Sequence, residues 1–388
     1  MLCESKMTAV ATFKRRLCAK METSSFRWPF TMRFLPFCCA LALCLLPPRT
    51  AQAADSALAA IADAHQVALG HAAGNLSYFV AKSPPPQPVT ALIVLHGHPR
   101  DAGKTLAAAI QAARLAGDAR NMLLVAPLFQ VPEAQSAHCR SAGVPPPQSG
   151  DALWSCSSWI GGGLDNQGKT SAFAALDRLL VALKRQWPTL QTVTVAGFSA
   201  GAQFVQHYVG FAAPPVGLRV RYLVADPGSW LYFDRLRPQP LQQGRPASWR
   251  ACNRESDCGF GWQAADTGQC PQANRWKYGL DAIPAWLGRS GEQARERYAA
   301  ADITYAAGER DTGEARGSFY PILDKSCAAQ LQGPYRLQRA LAYVAYDRRF
   351  VAPQKKRAVL LAPGCAHDVS CVFPSAGVRR ALFAIDAD

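Results

Sequence analysis

The sequence lacks an apolar run long enough to cross a bilayer. Its most apolar stretch, residues 34–46 (FLPFCCALALCLL), has 13 residues, where a spanning helix needs about 20. It lacks C-x-x-C spacing among the cysteines beyond residue 53, which argues against a zinc ribbon and a thioredoxin-type redox site. Acidic residues are in deficit, 27 against 42 Lys+Arg, for a formal net charge of +15. No basic-aromatic motif accompanies that surplus, so no nucleic-acid partner is expected. There is no internal repeat and no second domain boundary, which excludes a repeat architecture.

What stands at the N-terminus is a secretory signature. Met32-Arg33, the apolar run and Ala51-Gln52-Ala53 supply the basic start, short apolar core and A-x-A site of a signal peptide. Residues 1–53 are therefore expected to be leader and signal, with the mature chain beginning near residue 54. Residues 1–31 form an unusually long basic leader, consistent with translation from Met32. Arg15-Arg16 hints at a twin-arginine signal, but no apolar run follows directly, and Leu43 disfavours a lipoprotein cysteine at Cys44. A buried N-terminal helix or stable membrane anchor fits the short run less well.

Five of the 13 cysteines fall in this leader, leaving Cys139, Cys156, Cys252, Cys258, Cys270, Cys327, Cys365 and Cys371. Eight in an exported chain predict four disulfides, with connectivity open. Residues 54–388 carry 34 basic and 25 acidic residues, a charge of +9 that favours adhesion to anionic surfaces. Their number, 335, suffices for one large domain with its own core.

Short apolar runs alternate with helical segments, the pattern of an α/β chain with a mostly parallel sheet. Strands are predicted at 76–81, 90–95, 122–126, 192–196, 220–225, 303–306 and 358–361. Helices are predicted at 102–115, 170–187, 200–209, 327–345 and 376–384. Within the second helix, Phe173, Leu176, Leu180 and Leu183 recur at three- and four-residue spacing, one buried stripe. Two segments break the rhythm. Residues 128–169, rich in Pro, Gly and Ser, read as a long stapled loop. Residues 227–298 are an insertion with five tryptophans and three cysteines, long enough to act as a lid or binding loop.

The chemistry centres on VTVAGFSAGAQF, residues 192–203. Gly197-Phe198-Ser199-Ala200-Gly201 is a G-x-S-x-G match between a β-branched strand and a helix, a tight turn that exposes a serine nucleophile. The helix start beyond Ser199 offers free N–H groups to a developing oxyanion. A second strand, ALIVLHGHPRDAG, ends in His96-Gly97-His98-Pro99. Pro99 has no N–H, so His98 is the expected second oxyanion donor beside Ala200. His367, just past the last predicted strand and between Cys365 and Cys371, is the candidate base. His96 and His98 precede the serine, His207 lies about 12 Å down the following helix, and His65, His71 and His138 read as surface or packing residues. The acid is expected after a late strand. Asp311 is favoured, Glu309 is adjacent, and Asp226, after YLVA, is the alternative.

With these motifs the chain resembles the α/β-hydrolase superfamily over residues 76–384, and within it is most similar to secreted esterases of the polyhydroxyalkanoate-depolymerase and feruloyl-esterase kind. The resemblance implies an α/β-hydrolase fold, a mostly parallel central sheet flanked by helices, here with a disulfide-tied Trp-rich insertion. It implies ester hydrolysis through an acyl-enzyme on a small or polymeric ester, without cofactor or metal, in a secreted or periplasmic monomer. HGHP departs from a glycine-rich HGGG loop, and the insertion matches no known lid. Trp154, Trp159 and Trp230 are candidates to line the substrate pocket, or alternatively pack beneath the stapled loops. A serine peptidase or amidase, and a non-catalytic binding protein on the same fold, are the other readings.

Overall fold

The computed structural model describes residues 57–70, 72–117 and 121–384. The expected leader, residues 1–53, and His71 lie outside the described residues. The strands, in chain order, are β1 (Ala62–Ala68), β2 (Asn75–Ala81), β3 (Thr90–Leu95), β4 (Met122–Leu128), β5 (Thr192–Phe198), β6 (Arg219–Ala225), β7 (Leu236–Gln242), β8 (Arg245–Pro246), β9 (Gly259–Ala264), β10 (Asp302–Gly308) and β11 (Val359–Ala362). The longer helices are α1 (Ala102–Ala116), α2 (Ala172–Gln186), α3 (Ala200–Phe211), α4 (Gly291–Ala300), α5 (Arg336–Tyr346) and α6 (Ala376–Phe383).

Eight strands make the central sheet, in the order β1-β2-β4-β3-β5-β6-β10-β11. From β4 through β11 every neighbouring pair is parallel, and only β2 runs against its neighbours. Parallel strands covered on both faces need apolar side chains in both directions, and Leu92, Ile93, Val94 and Leu95 of β3 are all fully buried. One face is closed by α2, α3, α4 and α5, the other by α1 and α6. The predicted stripe Phe173, Leu176, Leu180 and Leu183 faces the first of these cores. Burying each such side chain contributes roughly 1.5–3 kcal/mol.

All seven predicted strands are present, with ends that differ from expectation by at most two residues. The predicted helix 327–345 is two helices, Cys327–Gln330 and α5. Gly333, at φ +128°, and Pro334 separate them: proline removes a donor and pushes its predecessor out of helical geometry. The four predicted disulfides form as Cys139–Cys156, Cys252–Cys258, Cys270–Cys327 and Cys365–Cys371. No helix among the described residues is long and apolar enough to cross a membrane.

The insertion is more ordered than a loop. It carries a three-stranded sheet, β8-β7-β9. Strand β7 (LRPQPLQ) holds Pro238 and Pro240, whose two-residue spacing turns both missing N–H groups to one side. That side faces the two-residue strand β8, where the Pro240 carbonyl accepts from Ala247 N–H.

Candidate active site

The parallel strands deliver three loops to one place. At the end of β5 the chain reverses into α3 through Ser199, held at φ +57° and ψ −118°. Such a conformation is strained for a residue with a side chain. Ser199 N–H donates to the Ala225 carbonyl at the end of β6, and the Ser199 carbonyl accepts from Gln203 N–H, both at 3.0 Å. The flanking glycines answer to contact distances. A Cβ at Gly197 would lie 2.6 Å from the Ala202 nitrogen, and one at Gly201 would lie 2.6 Å from the His96 carbonyl oxygen. Real Cβ atoms do not come so close, so helix α3 can rest against the ends of β3 and β5 only with glycine at both positions.

His367 arrives on the loop after β11, inside the seven-residue ring closed by Cys365–Cys371. Its N–H donates to the Gly317 carbonyl at 3.1 Å, and its ring lies against Phe198, centroids 4.7 Å apart. Asp311 comes from the loop after β10. Gly308 lets that loop close on the His367 loop, because a Cβ there would sit 2.6 Å from the Ala366 carbonyl oxygen. Ser199 Oγ donates to His367 Nε2 at 2.9 Å, and His367 Nδ1 donates to Asp311 Oδ2 at 2.8 Å. The carboxylate at Nδ1 fixes the tautomer, so Nε2 presents its lone pair to the hydroxyl. Burial lowers the His367 pKa below its ordinary 6.5, with the Asp311 hydrogen bond opposing and the Arg336 charge assisting. A neutral imidazole in this setting can take the proton of Ser199.

The structure brings Ser199, His367 and Asp311 together and places Asp226 directly behind them. Single ligand atoms of Asp226, Asp311 and His367 lie within 4.8 Å of one another. That triplet is a poor cation site, because Nδ1 gives its hydrogen to Asp311 and Nε2 faces Ser199. Glu309 turns away, accepting from Gly364 N–H at 3.0 Å and pairing with Arg254. Neither the His98 nor the Ala200 N–H has an acceptor among the described residues, whereas the Gly97 N–H donates to Asp101 Oδ1 at 3.1 Å. Asp101 thereby ties down the turn that leaves His98 N–H unused. Buried Arg100 fastens the same turn, donating to the Cys139 carbonyl and to Gln130 Oε1.

His96 and His207 hold structure. His96 is fully buried, with Nδ1 2.9 Å from the Gly97 carbonyl and Nε2 accepting from Phe129 N–H at 3.3 Å; burial pulls its pKa to about 4. His207 joins α3 to the insertion through the Lys277 carbonyl at 2.7 Å.

Of the two readings of Trp154, Trp159 and Trp230, pocket lining or packing, the burial fits packing. Trp154, Trp159 and Trp230 are 0% exposed. Trp154 meets Phe129 edge to face, Trp159 stacks on Phe129 at 5.3 Å, and Trp230 stacks on Tyr343 at 4.3 Å. They are core residues because rings of this size gain most by full burial. The cleft beside Ser199 is lined instead by Pro99, Lys104, Phe198, Phe319, Ile322 and Val369. Phe319 and Ile322 stand half exposed at its lip, 52% and 59%, on a segment for which the sequence offered no periodic signal. Arg336 lies in no sequence motif: it is buried, 3.5 Å from Asp311 Oδ1, and donates to the Ser318 carbonyl at 2.6 Å.

The sequence matches no protein-family model, and no curated protein is significantly similar to it. Solved structures are similar in fold. One is the poly(3-hydroxybutyrate) depolymerase LpqC from Bordetella parapertussis, at 20% identity and TM-score 0.54, covering 87% of this chain and 95% of that one. Another is poly(aspartic acid) hydrolase-1 from Sphingomonas sp. KT-1, at 17% identity and TM-score 0.54, covering 83% of this chain and 98% of that one. Strand order, strand direction and these likenesses agree: the chain has the α/β-hydrolase fold.

Proposed function

We propose that this chain is an exported serine hydrolase that cleaves carboxylic esters through an acyl-enzyme. The observation that carries the reading is the continuous hydrogen-bond chain Ser199–His367–Asp311, at 2.9 and 2.8 Å. His367 Nε2 takes the hydroxyl proton as Ser199 Oγ forms a bond to the ester carbonyl carbon. The carbonyl oxygen becomes an oxyanion, which the His98 and Ala200 N–H groups bind. The C–O bond to the alcohol then breaks, and His367 returns the proton to the leaving alcohol. Water, deprotonated by His367 in turn, attacks the acyl carbon, and the bond to Ser199 Oγ breaks as His367 returns the proton to it, releasing the acid. Asp311 stabilises the imidazolium formed in both halves.

The apolar lining of Phe319, Ile322, Phe198 and Val369 favours an acyl or alcohol group with an apolar face, such as an aryl ester or a polyester segment. Export rests on the signal signature, with maturation near Ala54 to a single domain of residues 54–388, and accords with four disulfides. N-terminal sequencing of the exported protein should therefore not find Met1.

The test is a panel of p-nitrophenyl esters, aryl esters, polyester films and peptides offered to purified residues 54–388. Esters should be turned over and peptides left intact; release of amines alone would replace this reading with an amidase. With the best ester, kcat/KM should fall as pH drops through a value below 6.5, because the base must be neutral and burial keeps it so.

A further inference from the structure

Asp226 has no task in the reaction above, yet the fold holds it at a cost. It follows Ala225, the last residue of β6, at φ +52°, in the left-handed region that side chains disfavour. It is completely buried. Both its carboxyl oxygens lean on a single donor, Gly308 N–H, at 3.0 and 3.1 Å. Among the described residues no Arg, Lys or His pairs with it.

Asp311 is served differently. It accepts from His367 Nδ1 at 2.8 Å and has the Arg336 guanidinium at 3.5 Å. The two carboxyl groups are within 4.8 Å of each other in a site closed to water. Two such groups cannot both be charged there, and the one with the cation and the imidazole N–H keeps the charge. Burial first, then the charge of Asp311, push the Asp226 pKa well above the carboxylate range, while Gly308 N–H and Arg336 pull the other way.

We propose that Asp226 is a positioning residue that remains protonated and donates its O–H to Asp311, locking that carboxylate in place against His367. The proposal rests on the Ser199–His367–Asp311 reading for its consequence in turnover, but the protonation itself does not. Asp311 then has a donor for each lone-pair direction that matters: His367, Arg336 and Asp226. The neutral O–H also draws charge from Asp311, which moderates how strongly it favours the imidazolium.

Asp226→Asn and Asp226→Ala separate the possibilities. Asparagine keeps the pattern, its carbonyl accepting from Gly308 N–H and its amide donating to Asp311. Its kcat/KM should stay within about threefold of the parent, with the acid limb of the pH profile unmoved. Alanine removes the donor, so kcat should fall about tenfold with KM little changed, and the acid limb should move to higher pH as Asp311 holds the imidazolium more tightly. In the infrared difference spectrum at neutral pH, the parent should show a carboxylic-acid C=O stretch that Asp226→Asn lacks. Absence of that band, or an Asp226→Asn variant as crippled as Asp311→Asn, would overturn the proposal. So would an Asp226→Ala variant with unchanged kcat and acid limb. The infrared measurement needs no turnover, so it decides the protonation state even for a chain that hydrolyses none of the panel, and it stands if the alanine variant fails to fold.

Discussion

Replacing Ser199 by alanine should lower kcat by about three orders of magnitude or more, and His367→Ala should do the same. In the proposed reaction Ser199 Oγ bonds to the acyl carbon, and His367 Nε2, 2.9 Å away, is the base that takes its proton. The two act in one step, so the double variant should lose little beyond either single one. Additive losses would mean that serine and histidine do not cooperate. Neither change should unfold the chain. The serine loses one oxygen, and the His367 loop remains tied by Cys365–Cys371 and by the His367 N–H bond to Gly317.

The second large effect is expected at Asp311. Asp311→Asn should lower kcat by about two orders of magnitude, less than loss of nucleophile or base, because it disturbs orientation and tautomer rather than removing a reacting atom. The amide can offer N–H to His367 Nδ1 in place of an acceptor, which turns the ring's lone pair away from Ser199. It also leaves buried Arg336 without its counter-charge, an unpaired ion in a dry site. Measured against Asp226→Asn, which should be close to silent, this variant assigns the acid. A severe Asp226→Asn with a silent Asp311→Asn would exchange their roles.

These assignments were legible in the sequence to unequal depth, and the reasons are physical. The parallel strands are continuous apolar runs, such as ALIVL before His96, because both faces of the sheet are covered. Strand β1 (ADAHQVA) escaped notice because it lies at the edge of the sheet, with one buried residue and six partly or fully exposed. The insertion sheet escaped because Pro238 and Pro240 argue against a strand unless their side of it is nearly unpaired. Ser199 was recognisable because glycine at 197 and 201 is a steric demand that sequence records directly. Chain order points to Asp311 and His367, but only the folded loops separate Asp311 from Glu309, two residues apart and turned oppositely. That Asp226 and Asp311 both reach the site could not be read from spacing, since each sits at the end of a different strand. The tryptophans stay open in the sequence for a simpler reason: a large ring near a loop can face a substrate or the core, and composition does not say which. Arg336 reaches Asp311 and Ser318 across 25 and 18 residues of chain, and Phe319 meets the His367 ring, contacts that no local pattern records.

A fluorophosphonate probe tests the central claim most directly. It reports whether a folded serine is an activated nucleophile, whatever the natural ester is. Mass spectrometry of the labelled protein should place the adduct on Ser199, in native protein and not after denaturation. Labelling should disappear in Ser199→Ala and drop sharply in His367→Ala. A well-folded chain whose Ser199 stays unlabelled, with ester turnover unchanged in Ser199→Ala, would contradict the account.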